Sequence, residues 1–290
     1  MHVVCVGDLM VDFVARLPGP IAFGSDTPAA IEVYGGGAAA NVAAWLAHAG
    51  AQATFVGRIG DDHAGLMAAD ELTAAGVTPV VEIDPNRATG LCIVLVDERG
   101  ERSMVPSTGA NDAAADVALI PATADWLYVS GYALLGEGPR SFALDALALA
   151  RERGWSIAVD AASAAPLAAA GAENFLDWIG TDLLLFANHD EARVLTGLDE
   201  PSAAAQALAL RCGHAVVKRG PLGAVWSDGT GVRSVPAVEV EVFDSTGAGD
   251  AFAAGFLAAT GEIADCLDQA TRLASRAVAH AGARPRPAAS

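Results

Sequence analysis

DSTGAGDAFAAGFLAA, Asp244 to Ala259, joins a glycine-rich turn to a run of small and apolar residues. It follows VEVEVF (238–243), an alternating run that reads as a strand, so a glycine loop is expected between a strand and a helix. Gly247 and Gly249 let the backbone turn through positive φ at little cost, and a plain turn is one reading of them. The other is an anion site. A glycine loop feeding a helix N-terminus points several N–H groups at one spot, and the helix dipole adds to them. The N–H groups of Gly247, Ala248 and Gly249 would then hold a phosphoryl group without net positive charge on the protein. Asp250 reads either as an N-cap or as a base beside that group. With an ordinary carboxyl pKa of about 3.9 it is a weak base, so the proton would move late.

Outward from this loop, short β-rich runs alternate with longer alanine and leucine segments, the pattern of an α/β chain with a mostly parallel sheet. HVVCVG (2–7), ATFVG (53–57), WLYVSG (126–131), SIAVD (156–160), DLLLFAN (182–188) and HAVVK (214–218) read as buried strands. AAANVAAWLAHAG, HAGLMAADELTAAG, PRSFALDALALARERG and PSAAAQALALRCG read as helices, several stopped by a C-terminal glycine. Residues 11–35 and 90–107 break the rhythm as strands without an intervening helix, the second with a turn at Glu98 to Gly100. They are expected to pair into a small sheet covering one edge. The tail ARPRPAAS (283–290) is proline-rich and reads as irregular.

At 290 residues and 53% hydrophobic, the chain can bury a sizeable core. A net charge of −18 excludes gripping nucleic acid or an anionic membrane by bulk electrostatics, so any phosphate must be held locally. Cys5, Cys92, Cys212 and Cys266 have no CxxC spacing and read as reduced, buried thiols. With no basic n-region and no uninterrupted apolar stretch of spanning length, a cytoplasmic location is expected.

Ligands of an open α/β sheet bind beyond the carboxyl ends of its strands. Asp8 and Asp12 follow the first strand, and Gly35, Gly36, Gly37 and Asn41 precede and open a helix. Asn188 and Glu191 follow DLLLFA, and Lys218 with Gly220 ends HAVV. One edge therefore collects nearly every candidate. Asn188 and Glu191 fit a capping box, and also water-mediated support for Mg²⁺, which keeps its waters and uses few carboxylates. Lys218, the single lysine, reads as a surface charge or as a reach toward a nucleotide phosphate; Arg219 after it excludes a P-loop. GGGAAA contains GxGxxA but does not directly follow the first strand, which speaks against a dinucleotide fingerprint. As a substrate loop, its glycines would let backbone approach a ligand while Asn41 and Asp12 meet hydroxyls.

Taken in order, VGDLMVD, GGGAAANVA, VGRIGDDHAG, NHDE, VVKRGPLGA and DSTGAGDAFAAGF resemble the successive signatures of the ribokinase-like (PfkB) family of carbohydrate and nucleoside kinases, nearly end to end. The resemblance implies a single kinase domain over 1–290: a three-layer α/β sandwich with a β-sheet lid from 11–35 and 90–107. It implies transfer of the γ-phosphoryl of ATP to a hydroxyl, with Asp250 as base and Gly247, Ala248 and Gly249 as anion hole. Asp12, Gly36, Gly37 and Asn41 would hold the sugar. Asn188, Lys218 and Gly220 would serve the nucleotide, Glu191 would serve Mg²⁺ through water, and Asp244 would stand where potassium-requiring members place a cation-loop carboxylate. A homodimer through the lids is implied as well. The chain departs from ribokinase proper at Ala38, where that enzyme's glycine loop carries lysine, which turns the reading away from ribose. Arg286 stands where a small polar residue is often found near the cation, which counts against K⁺.

The leading expectation is an ATP-dependent kinase acting on a primary hydroxyl of a small sugar, pentose or ketohexose. A nucleoside acceptor is the alternative within the same chemistry. A non-catalytic sugar-binding regulator is disfavoured by the intact DSTGAGD, and a nicotinamide-dependent oxidoreductase by the position of GxGxxA.

Overall fold

A computed structural model describes residues 1–98 and 102–286. The expected turn at Glu98 to Gly100 lies outside the described residues from Arg99 onward, as does the end of the tail from 287.

Among the described residues nine strands form the main sheet: β1 (His2–Val6), β4 (Gln52–Gly60), β5 (Thr78–Asp84), β8 (Trp126–Ser130), β9 (Ser156–Asp160), β10 (Leu183–Asn188), β11 (Gly213–Lys218), β12 (Ala224–Ser227) and β13 (Val232–Val235). Their order is β13-β12-β11-β10-β9-β8-β1-β4-β5. From β11 to β5 every pairing is parallel, and β12 and β13 add an antiparallel margin. The parallel strands are continuous apolar runs because both faces are covered. In β1, Val3 and Cys5 join one core cluster while Val4 and Val6 join the other, as a period of two requires.

On the first face lie α1 (Ala38–His48), α2 (His63–Ala74), α9 (Ala248–Ala258) and α10 (Ile263–Val278), which bury Trp45, Leu72, Phe252, Phe256 and Leu267. The second face carries α4 (Arg140–Glu152), α6 (Ala172–Ile179), α7 (His189–Thr196) and α8 (Pro201–Cys212), with Phe142, Phe175 and Leu208 inward. Short helices α3 (Gly131–Leu135) and α5 (Ala164–Ala170) follow β8 and β9.

A second sheet has four strands in the order β3-β2-β6-β7: β2 (Met10–Arg16), β3 (Ala30–Gly36), β6 (Gly90–Val96) and β7 (Arg102–Ser107). Hydrogen-bonded register aligns Val33, Phe13, Ile93 and Val105 in one row across it. Val14, Cys92, Val94 and Val96 form its own small buried cluster.

One expected strand is absent. Residues 236–243, including VEVEVF, are irregular, and Val238, Val240 and Val242 stand 43%, 40% and 63% exposed. Alternation alone does not make a strand when no neighbour offers its edge. DSTGAGD therefore hangs from an irregular segment rather than from a strand end; Phe243 and Asp244 are tied instead by their N–H groups to the Val278 carbonyl of α10.

Phe186 of β10 is fully buried, edge-on to Phe252 and Phe256 of α9 at 6.5 and 5.6 Å between ring centroids. These contacts seat the helix that carries Asp250 on the sheet. Phe186→Ala is expected to cost about 3–5 kcal/mol, read as a lower urea midpoint at unchanged slope.

Candidate active site

The carboxyl ends of the parallel strands deliver a polar row, with Asp8 just beyond β1, Ser130 on β8, Asp160 on β9, Asn188 on β10 and Lys218 on β11. Lys218 is no surface charge. Its Nζ donates to Asp160 Oδ2 at 2.6 Å, with the two side chains 14% and 10% exposed. Burial pulls the lysine pKa down, but the charges of Asp160 and Glu191 more than offset it and the net shift is upward. A side chain added at Gly249 would begin 3.2 Å from that ammonium, so the cation lies against the glycine loop.

The loop itself is a helix N-terminus. Gly247 occupies the N-cap position of α9 at φ 74°, and a Cβ there would strike the Ala283 carbonyl, so glycine is required twice over. This corrects the capping reading of Asp250. The residue lies within the first turn and makes no cap; its Oδ2 accepts a 2.9 Å hydrogen bond from Asn41 Nδ2 on α1. Loss of water drives its pKa up to about 7, the Asn41 bond and the Lys218 charge pulling down and Asp160 and Asp8 pushing up. The carboxyl is thus a stronger base than the free side chain.

Asn41 is 5% exposed, with Oδ1 accepting from Arg284 Nε at 3.2 Å. Gly36 ends β3 against Asp12 of β2, and a Cβ at Gly36 would collide with the Asp12 carboxyl. Desolvation raises the Asp12 pKa to about 6, against the lowering charge of Arg284. Gly37 is the N-cap residue of α1 at φ 93°, where the Asp8 backbone leaves no room for a side chain. Asp8 Oδ2 accepts from the Ala38 N–H at 3.1 Å at the same helix start. The Gly35–Gly37 loop and Asp250 thus meet through Asn41.

Asn188 and Glu191 form the capping box of α7: Asn188 Oδ1 accepts from the Glu191 N–H at 2.9 Å, and Glu191 Oε2 from the Asn188 N–H at 2.7 Å. Glu191 is 2% exposed, and burial followed by the Asp160 charge raises its pKa. Strand register sets Asn188 beside Lys218. Gly220 opens a single 3-10 turn (Gly220–Leu222) at φ 56°, with open space where a side chain would stand. Asp244 is buried under the loop, accepting from the Thr246 N–H at 2.7 Å and the Gly282 N–H at 3.0 Å, and is ion-paired with Arg102 of β7. Burial works against the charged form, yet these donors hold its pKa below the usual range.

Sequence reasoning missed Asp160, Arg102 and Arg284. Asp160 ends SIAVD, and the rule that singled out Lys218 would have found it. Arg102 and Arg284 carry no local signal. Among the described residues no group of three or more acidic, histidine or cysteine side chains could cage a metal. No described helix is long and apolar enough to cross a membrane.

The fold and this edge together define a phosphotransferase of the sugar and nucleoside kinase class. The family model for pfkB carbohydrate kinases matches residues 1–289, and the chain belongs to that family. It is 31% identical over 277 residues to Probable fructokinase-7 of Arabidopsis thaliana, covering 88% of this chain and 77% of that one. Against the ATP-dependent ribose-1-phosphate kinase of Halopiger xanaduensis the identity is 32% over 262 residues, covering 88% and 84%. Among solved structures, a probable sugar kinase protein from Rhizobium etli superposes with a TM-score of 0.88 at 26% identity, covering 99% and 95%.

A carboxyl whose folded pKa is raised contributes stability that is present below its unfolded pKa and lost as pH rises through the folded value. For Asp250 that window runs from about 4, the free side-chain value, to about 7. Asp250→Asn is therefore expected to raise the melting temperature at pH 8 relative to wild type, with the gain shrinking toward pH 4 in thermal denaturation.

Proposed function

We propose that the protein transfers the γ-phosphoryl group of ATP to a primary hydroxyl of a small sugar of pentose or ketohexose type, with Asp250 as the base. The observation that carries this is the bond of Asp250 to Asn41 at the start of α9, beside the Gly247–Gly249 loop and Lys218. In this reading the hydroxyl proton passes to Asp250. The acceptor oxygen bonds to the γ-phosphorus, and the bond from that phosphorus to the β,γ-bridging oxygen breaks to release ADP. The N–H groups of Gly247, Ala248 and Gly249 stabilise the equatorial charge, and Lys218 adds a cation held in place by Asp160. Asp12, Gly36, Gly37 and Asn41 receive the sugar. Asn188 and Gly220 border the nucleotide.

Glu191 and Asn188, side by side at the start of α7, would support through water an Mg²⁺ brought with the ATP phosphates, whose charge that ion would neutralise. Asp244 is a potassium ligand only if Arg102 yields its place, since that guanidinium already matches its charge. The whole chain acts as one kinase domain in the cytoplasm, with the four-stranded sheet as its lid.

A panel of pentoses, ketohexoses, sugar acids, ribose 1-phosphate and nucleosides, with and without K⁺, tests this reading by ADP release. Turnover on a pentose or ketohexose is expected, rising with pH to a limb near 7, as the Asp250 pKa requires. Turnover on nucleosides alone would move the acceptor to that class, and ATP consumption with no panel member would count against the proposal. Asp250→Asn should lower kcat at least about 10²-fold, within the usual range for losing a positioned base, while ATP binding by calorimetry persists.

The same reading includes a homodimer through the lids. Val33, Ile93 and Val105, in one row of the small sheet, are 48%, 50% and 58% exposed, and Ile31 beside them 64%. Such a contiguous apolar face favours burial against a second copy. Ile93→Glu is expected to convert a dimer to a monomer in sedimentation analysis; a wild-type monomer at micromolar concentration would remove this assembly.

A further inference from the structure

We propose that Arg284 is a positioning residue for phosphoryl transfer: by gripping Asn41 it determines which end of that amide meets Asp250, and so keeps Asp250 ready to accept a proton. The inference rests on the assignment of Asp250 as base.

An asparagine amide can turn either its oxygen or its nitrogen toward a neighbour, and the partners decide. Arg284 has only donors. Its Nε reaches Asn41 Oδ1 at 3.2 Å, so the oxygen is held on that side and Nδ2 is left to donate to Asp250 Oδ2 at 2.9 Å. A donated hydrogen bond favours the carboxylate. The flipped amide would offer Asp250 an acceptor, which only the protonated acid can satisfy. The orientation of one amide thus selects the protonation state of the base.

The guanidinium is held in place on its other sides. Its side chain is 6% exposed, its Nη2 donates to the Gly36 carbonyl at 2.8 Å, and its Nη1 lies 3.2 Å from Glu71 Oε1 on α2. One planar fork therefore ties the substrate loop, the amide and α2 together. Gly35 is glycine for the same reason, because a Cβ there would overlap the guanidinium. The backbone beside Arg284 is fixed as well. The Gly282 N–H donates to Asp244 at 3.0 Å, and the Ala283 carbonyl accepts from Trp45 Nε1 at 2.8 Å.

The charged and titratable groups around Asp250 are Asp8 beyond β1, Tyr128 on β8, Tyr132 on α3, Asp160 on β9 and Lys218 on β11. Those around Arg284 are Glu71 on α2, Asp12 on β2 and Asp8. The Asn41 amide hydrogen-bonds Asp250 on one side and Arg284 on the other. Removing Arg284 takes away the donor that holds Asn41 Oδ1, and with it the bonds to the Gly36 carbonyl and Glu71.

The test measures kcat against pH for wild type, Arg284→Met, Arg284→Lys, Asn41→Ala, the Asn41→Ala/Arg284→Met double variant and Asp250→Asn. The probes are ATP with fructose and with ribose, and basal ATP hydrolysis where neither turns over. The infrared carbonyl band of protonated carboxyl groups supplies a readout independent of turnover. Arg284→Met is expected to move the acidic limb up by about one pH unit, lowering turnover at pH 7 about fivefold, with KM for ATP held within about twofold. The double variant should match Asn41→Ala alone, because Arg284 acts through Asn41. A folded Arg284→Met with the wild-type limb, or effects of the two single changes that multiply, overturns the proposal. Should Arg284→Met not fold, Arg284→Lys, which keeps the charge and loses the fork, decides by the same two readings. Wild-type turnover by Asp250→Asn would instead sink the assignment of the base. Loss of turnover there with an unchanged Arg284→Met sinks only the role of Arg284.

Discussion

Asp160, Glu191 and Asp250 raise the pKa of the one lysine of the chain, and Asp160 and Asp8 in turn raise that of Asp250. Lys218 is committed to Asp160 at 2.6 Å. Asp8 is met by the Ala38 N–H at the start of α1. Asp250 is left with a single amide donor, Asn41. Like charges at short range and loss of water both favour the protonated acid, and burial raises the pKa of Asp8 as well as that of Asp250. Base strength here comes from what the site withholds from Asp250 as much as from what it provides.

That arrangement depends on three stretches of chain far apart in sequence. The first strand and α1 bring Asp8 and Asn41, the middle of the sheet brings Asp160 and Lys218, and the segment after α10 brings Arg284. Residues 282–284 are a junction in little space: Gly282 holds Asp244 beneath the Gly247–Gly249 loop, Ala283 packs against Gly247, and Arg284 holds Asn41. The small sheet joins the same network through Asp12 beside Gly36 and Arg102 on Asp244. That sheet is therefore tied both to the Gly35–Gly37 loop and, through Asp244, to the Gly247–Gly249 loop. A buried ion pair such as Arg102 with Asp244 is costly to break, because it leaves one charge without a partner.

Much of this was legible. HVVCV and DLLLFAN are buried on both faces, and their unbroken apolar runs could be read as parallel strands without knowing their neighbours. The stretches 11–35 and 90–107 hold the strands of the small sheet with residues 17–29 irregular, and β6 shows the period of two that a sheet with one exposed face imposes. VEVEVF shows the same period and is irregular. Pairing needs a free edge, and no residue of the segment encodes whether one is near. Asp250 likewise reads as a cap from its position, whereas the αL conformation of Gly247 puts the helix start three residues earlier.

By itself the sequence determined the layered α/β order, the glycine loop ahead of α9 and the edge on which polar residues gather. Periodicity, helix stops and turn-forming residues are local properties, and each acts within a few positions of chain. Only the tertiary structure decided that Asp250 meets Asn41, that Lys218 is spent on Asp160, and that Arg284 is buried against Asn41, across 209, 58 and 243 residues. The protonation of a carboxyl is set by the water it has lost and the charges around it. Those follow from packing, which no stretch of the chain specifies alone.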